Sequence, residues 1–165
     1  MLLVRPFDPA DAEAVASLIL SIQRDEFGIA VTRAEQPDLA DIPHFYQSGA
    51  GNFWVAEFDG SVVGTIGLRD VGSRHAALRK MFVSASYRGR EHGVAQALLE
   101  TLVQWSRGKG LAFIYLGTTF RFLAAHRFYE KNGFTEVGKA ELPPTFPVMS
   151  VDSKFYRLGV IRGDA

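Results

Sequence analysis

The chain opens with a short apolar run, LLVRPF, that reads as a strand, and then the period changes. In DPADAEAVASLILSIQ, Ala14, Val15, Leu18, Ile19 and Ile22 recur at the spacing of one helix face. Asp8 suits the N-cap, Pro9 the first helical position, and Asp11 the positive helix end. The stretch from Arg24 to Asn52 loses this regularity. It carries Gly28, Pro37, Pro43, Gly49 and Gly51, with room for one short helix over 39–47.

Two β-rich runs in FWVAEFDGSVVGTIGLRD flank Asp59-Gly60, a hairpin signal. HAALRKMFVS is a third strand, apolar enough to be central. After Gly93, Val94, Leu98 and Leu102 form one row and Ala95, Leu99 and Val103 the next, a wide apolar stripe made to cover a sheet. Gly108 and Gly110 mark the end of that helix. AFIYLGTT reads as a strand and FRFLAAHRFYEKN as a helix stopped at Gly133; FTEVG and KFYRLGV are closing strands joined by ELPPTFPVMS. Hairpins mixed with crossover units imply an α/β sheet with both parallel and antiparallel pairs. Its 165 residues fit one domain, 1–165.

Composition narrows the classes. Eighteen basic and 18 acidic residues give a formal net charge of +0, against a nucleic-acid binder. The absence of cysteine excludes disulfides, thiolate nucleophiles and cysteine metal sites. The N-terminal run is broken at once by charge and proline, and no apolar run approaches the ~20 residues of a membrane span. The expectation is a cytoplasmic protein with no membrane partner.

One stretch asks for chemistry. In YRGREHGVAQALLE, Arg88, Arg90 and His92 crowd the start of a helix, whose end already repels cations. Gly89 and Gly93 let successive N–H groups turn into one concavity, an anion site for which phosphate is the usual occupant. The loop is neither a Gly-Lys-Ser/Thr phosphate loop nor the G-x-G-x-x-G of dinucleotide folds. A solvated basic turn is the other reading.

Arg90, Gly93 and Ala95, as RxxGxA ahead of QALLETLVQW, resemble the pyrophosphate-binding loop and helix of the GNAT acyltransferases. Downstream, AAHRFYEKNGF is similar to that family's second signature, and the element order agrees along nearly the whole chain. The resemblance implies a mixed, largely antiparallel sheet with a splayed parallel pair and flanking helices. It implies acetyl-CoA as donor, no metal, and direct attack of a primary amine on the thioester. Backbone groups of Met81 and Val83, with Phe82 between them, would hold pantetheine, and the amides of Arg88, Gly89, Arg90, Glu91, His92, Gly93, Val94 and Ala95 the pyrophosphate. Thr118 or Thr119 would offer a hydroxyl; Arg121, Arg127 or Lys131 would meet the 3′-phosphate.

Within the resemblance Tyr129 matches the acid that protonates the departing thiolate, as a phenol with pKa ~10 can. A buried aromatic bonded to backbone would occupy the same position. The family's frequent glutamate is replaced by Ala77, which leaves Glu26, Asp70 and Glu57 as candidate bases, with Glu26 and Asp70 ahead. Phe122 stands where an asparagine is common. His92 and His126 lack partners for a metal site. His44, Phe45, Tyr46, Phe146 and Met149 border the expected acceptor pocket, and Glu26, Asp38, Asp41 and Asp70 would suit a cationic acceptor. The acceptor amine itself, and a monomer or homodimer, stay open. A non-catalytic acyl-CoA sensor is the rival reading.

Overall fold

A computed structural model describes residues 1–119 and 122–160. Seven strands form one sheet in the order β1-β2-β3-β4-β5-β7-β6. They are β1 (Leu2–Pro6), β2 (Asn52–Phe58), β3 (Ser61–Gly72), β4 (His75–Val83), β5 (Phe113–Thr118), β6 (Thr135–Val137) and β7 (Lys154–Gly159). Every pair is antiparallel except β4 with β5. The β2–β3 hairpin turns at Asp59 and Gly60 with φ of 50° and 87°, the positive values a two-residue turn of right-handed strands requires.

The sheet is covered on both faces because its strands alternate. Trp54 and Ala56 belong to the cluster built on helix α4 (Val94–Gly108) with Leu98, Leu99 and Leu102. Phe53 and Val55 point the other way, into a cluster with Val15 and Ile19 of helix α1 (Ala12–Ser21). Asp8 caps the turn leading into α1, exchanging bonds with Asp11, and Arg5 holds Asp11 at 2.8 Å. The expected helix over 39–47 is instead two single turns, α2 (Pro37–Ala40) and α3 (Ile42–Phe45). Pro43 has no N–H for a carbonyl one turn back, so the chain restarts with Asp41 as a new cap. Helix α5 (Leu123–Lys131) precedes β6, and β7 inserts between β5 and β6.

Two irregularities open the sheet. The parallel β4–β5 ladder covers only His75–Ala77 against Phe113–Tyr115. Across β3, Gly67 faces Arg79 and Thr65 faces Phe82, so Lys80 and Met81 together oppose Ile66. This bulge sets Lys80 at φ 54°, and the Thr65 hydroxyl donates to the Lys80 carbonyl at 2.7 Å. A bulge bends and twists its strand. From Leu78 onward β4 has no partner on its β5 side.

Candidate active site

The space left by the divergence is a cavity of about 330 Å³. Met81 and Leu116 line it from the two strands, and Tyr129 from α5. The α1 extension contributes Gln23 and Phe27, and the segment before β7 contributes Met149 and Asp152. That extension, Ile22–Glu26, is a wider π-type turn continuing α1, and no sequence signal announced it.

At the end of β4 the basic loop runs into α4. Gly89 and Gly93 adopt φ of 103° and 66°, and Gly93 is the N-cap with no side-chain bond to the helix. The first-turn amides of Val94, Ala95 and Gln96 have no carbonyl a turn behind them, so they face outward. His92 and Gly93 fold their N–H groups onto the Gly89 carbonyl at 3.3 Å each. Arg90 and Glu91 are exposed, with Glu91 3.8 Å from His92. An uncapped helix start with left-handed glycines and a neighbouring guanidinium fits a pyrophosphate.

The Arg88 side chain turns away from the helix start. Its Nε donates to the Val83 carbonyl at 2.8 Å, and its two terminal nitrogens hold both oxygens of Glu26. The Arg88 guanidinium keeps the Glu26 carboxyl below the usual range, against a smaller opposing effect of burial. Glu26 is thus a fastened carboxylate, and the Val83 carbonyl is already engaged. Lys131 and Arg127 lie exposed on α5. Arg121 lies outside the described residues.

Tyr129 is 8% exposed and stacks edge-on with Phe134 at 5.4 Å. Its hydroxyl donates to the Met81 sulfur at 3.5 Å, a weak acceptor that a better one displaces. Burial alone raises this phenol well above its ordinary value, so it stays protonated. Phe122 packs on Phe27 at 4.8 Å and walls the cavity with an apolar contact where a polar asparagine was the common choice. His126 Nε2 lies 2.8 Å from the Thr119 carbonyl. Among the described residues no group of three His, Asp or Glu could hold a metal.

Sequence reasoning missed four charged residues of the cavity: Glu35, Arg79, Lys80 and Asp152. Lys80 Nζ sits 2.5 Å from Gln36 Oε1 and 3.6 Å from Asp38, whose carboxylate also accepts from Tyr46 at 2.6 Å. Burial lowers the Lys80 amine, partly countered by Asp38. Gln36 and Gln23 exchange two amide bonds beside it, at 2.9 and 3.0 Å. The Asp152 carboxyl accepts from the Met149 N–H at 2.8 Å and lies on the backbone of Gly117. Burial raises its pKa, opposed by the Met149 bond and by Arg79. Only its place just ahead of β7 pointed to it.

The structure takes other candidates away from the cavity. Asp70 stands opposite Ala76 at the closed end of the ladder and accepts the Ala50 and Gly72 N–H groups at 2.9 and 2.8 Å. Glu57 pairs with Arg5 at 3.0 Å. Ala77 is fully buried beside Tyr115. Tyr46 is core, and Phe45 lies under Arg69 at 3.9 Å. Thr118, Phe146 and Met149 do line the cavity.

A mixed sheet splayed beside an uncapped glycine-basic helix start defines the acyl-CoA N-acyltransferase class of fold. The chain belongs to the GNAT family: the family model described as Acetyltransferase (GNAT) family matches residues 16–134. A mouse relative named "Probable N-acetyltransferase family 8 member 5" is 38% identical over 114 residues, 66% of this chain and 49% of its own length. The chain therefore spans about half of that relative. A GNAT acetyltransferase structure from Staphylococcus aureus Mu50 superposes with TM-score 0.92 at 36% identity, covering 98% of this chain and 100% of that one. A Neisseria gonorrhoeae N-acetylglutamate synthase, solved with coenzyme A and N-acetyl-glutamate, shares the fold at TM-score 0.74 and 18% identity, covering 98% of this chain and 36% of that one. No helix among the described residues is long and apolar enough to cross a membrane.

Proposed function

We propose that the chain is an N-acetyltransferase that moves the acetyl group of acetyl-CoA to a primary amine. One observation carries this reading: the Tyr129 hydroxyl stands on the wall of the β4–β5 gap, and β4 leads straight into the open amides of α4. The open amides of the loop and first turn, Arg90, Glu91, Val94 and Ala95, would hold the pyrophosphate, with Arg90 and His92 adding charge. The free edge of β4 around Met81 would align pantetheine; the gonococcal neighbour of the same fold was solved with coenzyme A, which supports a coenzyme A donor.

Bound acetyl-CoA supplies a thioester carbonyl, so an ammonium and a thioester become an amide, a thiol and one released proton. Asp152 is a carboxylate on the cavity wall that makes no ion pair among the described residues, and its raised pKa brings it nearer the range where it removes a proton from the incoming ammonium. Tyr129 Oη gives its proton to the departing sulfur and recovers one from the new amide nitrogen through water. Phe27 and Phe122 exclude bulk water from that side.

Titrating acetyl-CoA into the protein by calorimetry tests the donor half; one saturable site is expected, and no heat at millimolar ligand refutes it. Thiol release with an amine library tests the transfer. Binding of acetyl-CoA with no thiol release for any amine would leave a binding module.

A further inference from the structure

The charged groups of the cavity are not equally committed. Glu35 is used by the Thr32 N–H and hydroxyl at 3.1 and 3.0 Å. Lys80 is used by Gln36 and Asp38. Arg79 and Asp152 differ: they form no ion pair with each other or with any described residue. Arg79 donates to the Met149 sulfur at 3.4 Å, and Asp152 accepts from the N–H of that same Met149. A thioether is a poor acceptor for a guanidinium with five donors. Both side chains are half-buried, and Arg79 also lies 5.7 Å from the Phe45 ring; a charge drawn partly out of water gains from a ligand group of opposite sign. Arg79 stands on β4 beside the bulge and Asp152 ahead of β7 against Gly117, and Met149 contacts both.

We propose that the amine acceptor carries a carboxylate of its own, as an amino acid does, with Arg79 gripping that carboxylate and Asp152 facing the ammonium. This rests on the transferase reading above and gives it a substrate class. A guanidinium binds a carboxylate with two parallel bonds, displacing the sulfur contact. A zwitterion brings one charge of each sign, matching two opposite charges that face the cavity without a direct ion pair between them. A polyamine would leave Arg79 facing a cation.

The test compares amino acids with the matching amino-acid amides, in the intact chain and in Arg79→Gln and Arg79→Lys. Two readouts are used: acceptor kcat/KM, and calorimetric binding of the same compounds to protein saturated with coenzyme A. Amino acids are expected to win by about 10- to 100-fold, the scale of a lost charge-assisted bond pair. Arg79→Gln should erase that preference through acceptor KM, with acetyl-CoA affinity kept, and Arg79→Lys should restore part of it. Equal use of acids and amides overturns the proposal, as does an Arg79→Gln loss that is the same for both. Acetylation of no amine in either set, while acetyl-CoA still binds, overturns the transferase reading itself.

Discussion

Arg88 of the basic loop holds Glu26 of the α1 extension through both terminal guanidinium nitrogens, the second at 2.9 Å, while its Nε reaches the Val83 carbonyl. One side chain thereby ties the end of α1, the end of β4 and the cofactor loop together. The cation that the sequence set at a helix start does structural duty, leaving Arg90 as the loop's outward guanidinium.

A carboxylate fastened in this way is expected to serve as a tether rather than as the base. Glu26→Gln should lower kcat by no more than about fivefold, the reach of an exposed pair worth roughly 1 kcal/mol. The acidic limb of the pH–rate profile should not move. A shifted or vanished limb would restore Glu26 to that role.

Asp152 carries the opposite expectation. Burial raises its pKa above the ordinary 3.8, so the folded chain binds more protons than the unfolded one between those two values. Stability from this group is therefore present at low pH and lost as pH rises through the raised value. Asp152→Asn should raise Tm at pH 7 while cutting turnover, because the amide oxygen still accepts from Met149. A variant less stable and fully active would contradict both halves.

Gly117 tests the same wall by sterics. A Cβ there would lie 2.5 Å from Asp152 Oδ2, so Gly117→Ala must push the carboxyl aside. A loss of about 10- to 100-fold in kcat/KM is expected, as for small displacements at reacting centres. Gly108→Ala, with nothing within 4 Å, should instead leave activity unchanged and add up to about 1 kcal/mol to stability.

Lys80 has a lowered pKa because burial disfavours its charge. Between that lowered value and the ordinary 10.5 the unfolded chain binds the extra proton, so stability rises with pH across this window and is lost as pH falls through it. Lys80→Met should flatten that rise. It should also cost about 3–5 kcal/mol at neutral pH, by stranding the buried Asp38. Denaturant titrations across alkaline pH decide it; an unchanged slope would refute the account of Lys80.

The elements were legible where period and punctuation agreed. Val94, Leu98 and Leu102 announced α4, Asp59-Gly60 the hairpin, and Gly133, at φ 92°, the end of α5. The loop and Tyr129 were singled out through resemblance, since neither glycine spacing nor a buried phenol names its ligand, and the structure sets Tyr129 on the cavity wall. What stayed hidden arose from tertiary placement. The bulge at Lys80 depends on pairing with β3, the fate of Arg88 on a contact 62 positions away in sequence, and Asp152 on the loop's seat over Gly117. Asp70 looked suitable by type alone, but the register places it at the closed end of the ladder.

The central claim is that Tyr129 supplies the proton to the departing sulfur. Its most direct measurement is amine-dependent thiol release by Tyr129→Phe beside calorimetric affinity for acetyl-CoA. A fall in kcat of about 10²- to 10⁴-fold with donor affinity kept is the predicted result. Unchanged kcat, or a loss accounted for by weakened acetyl-CoA binding, would contradict it.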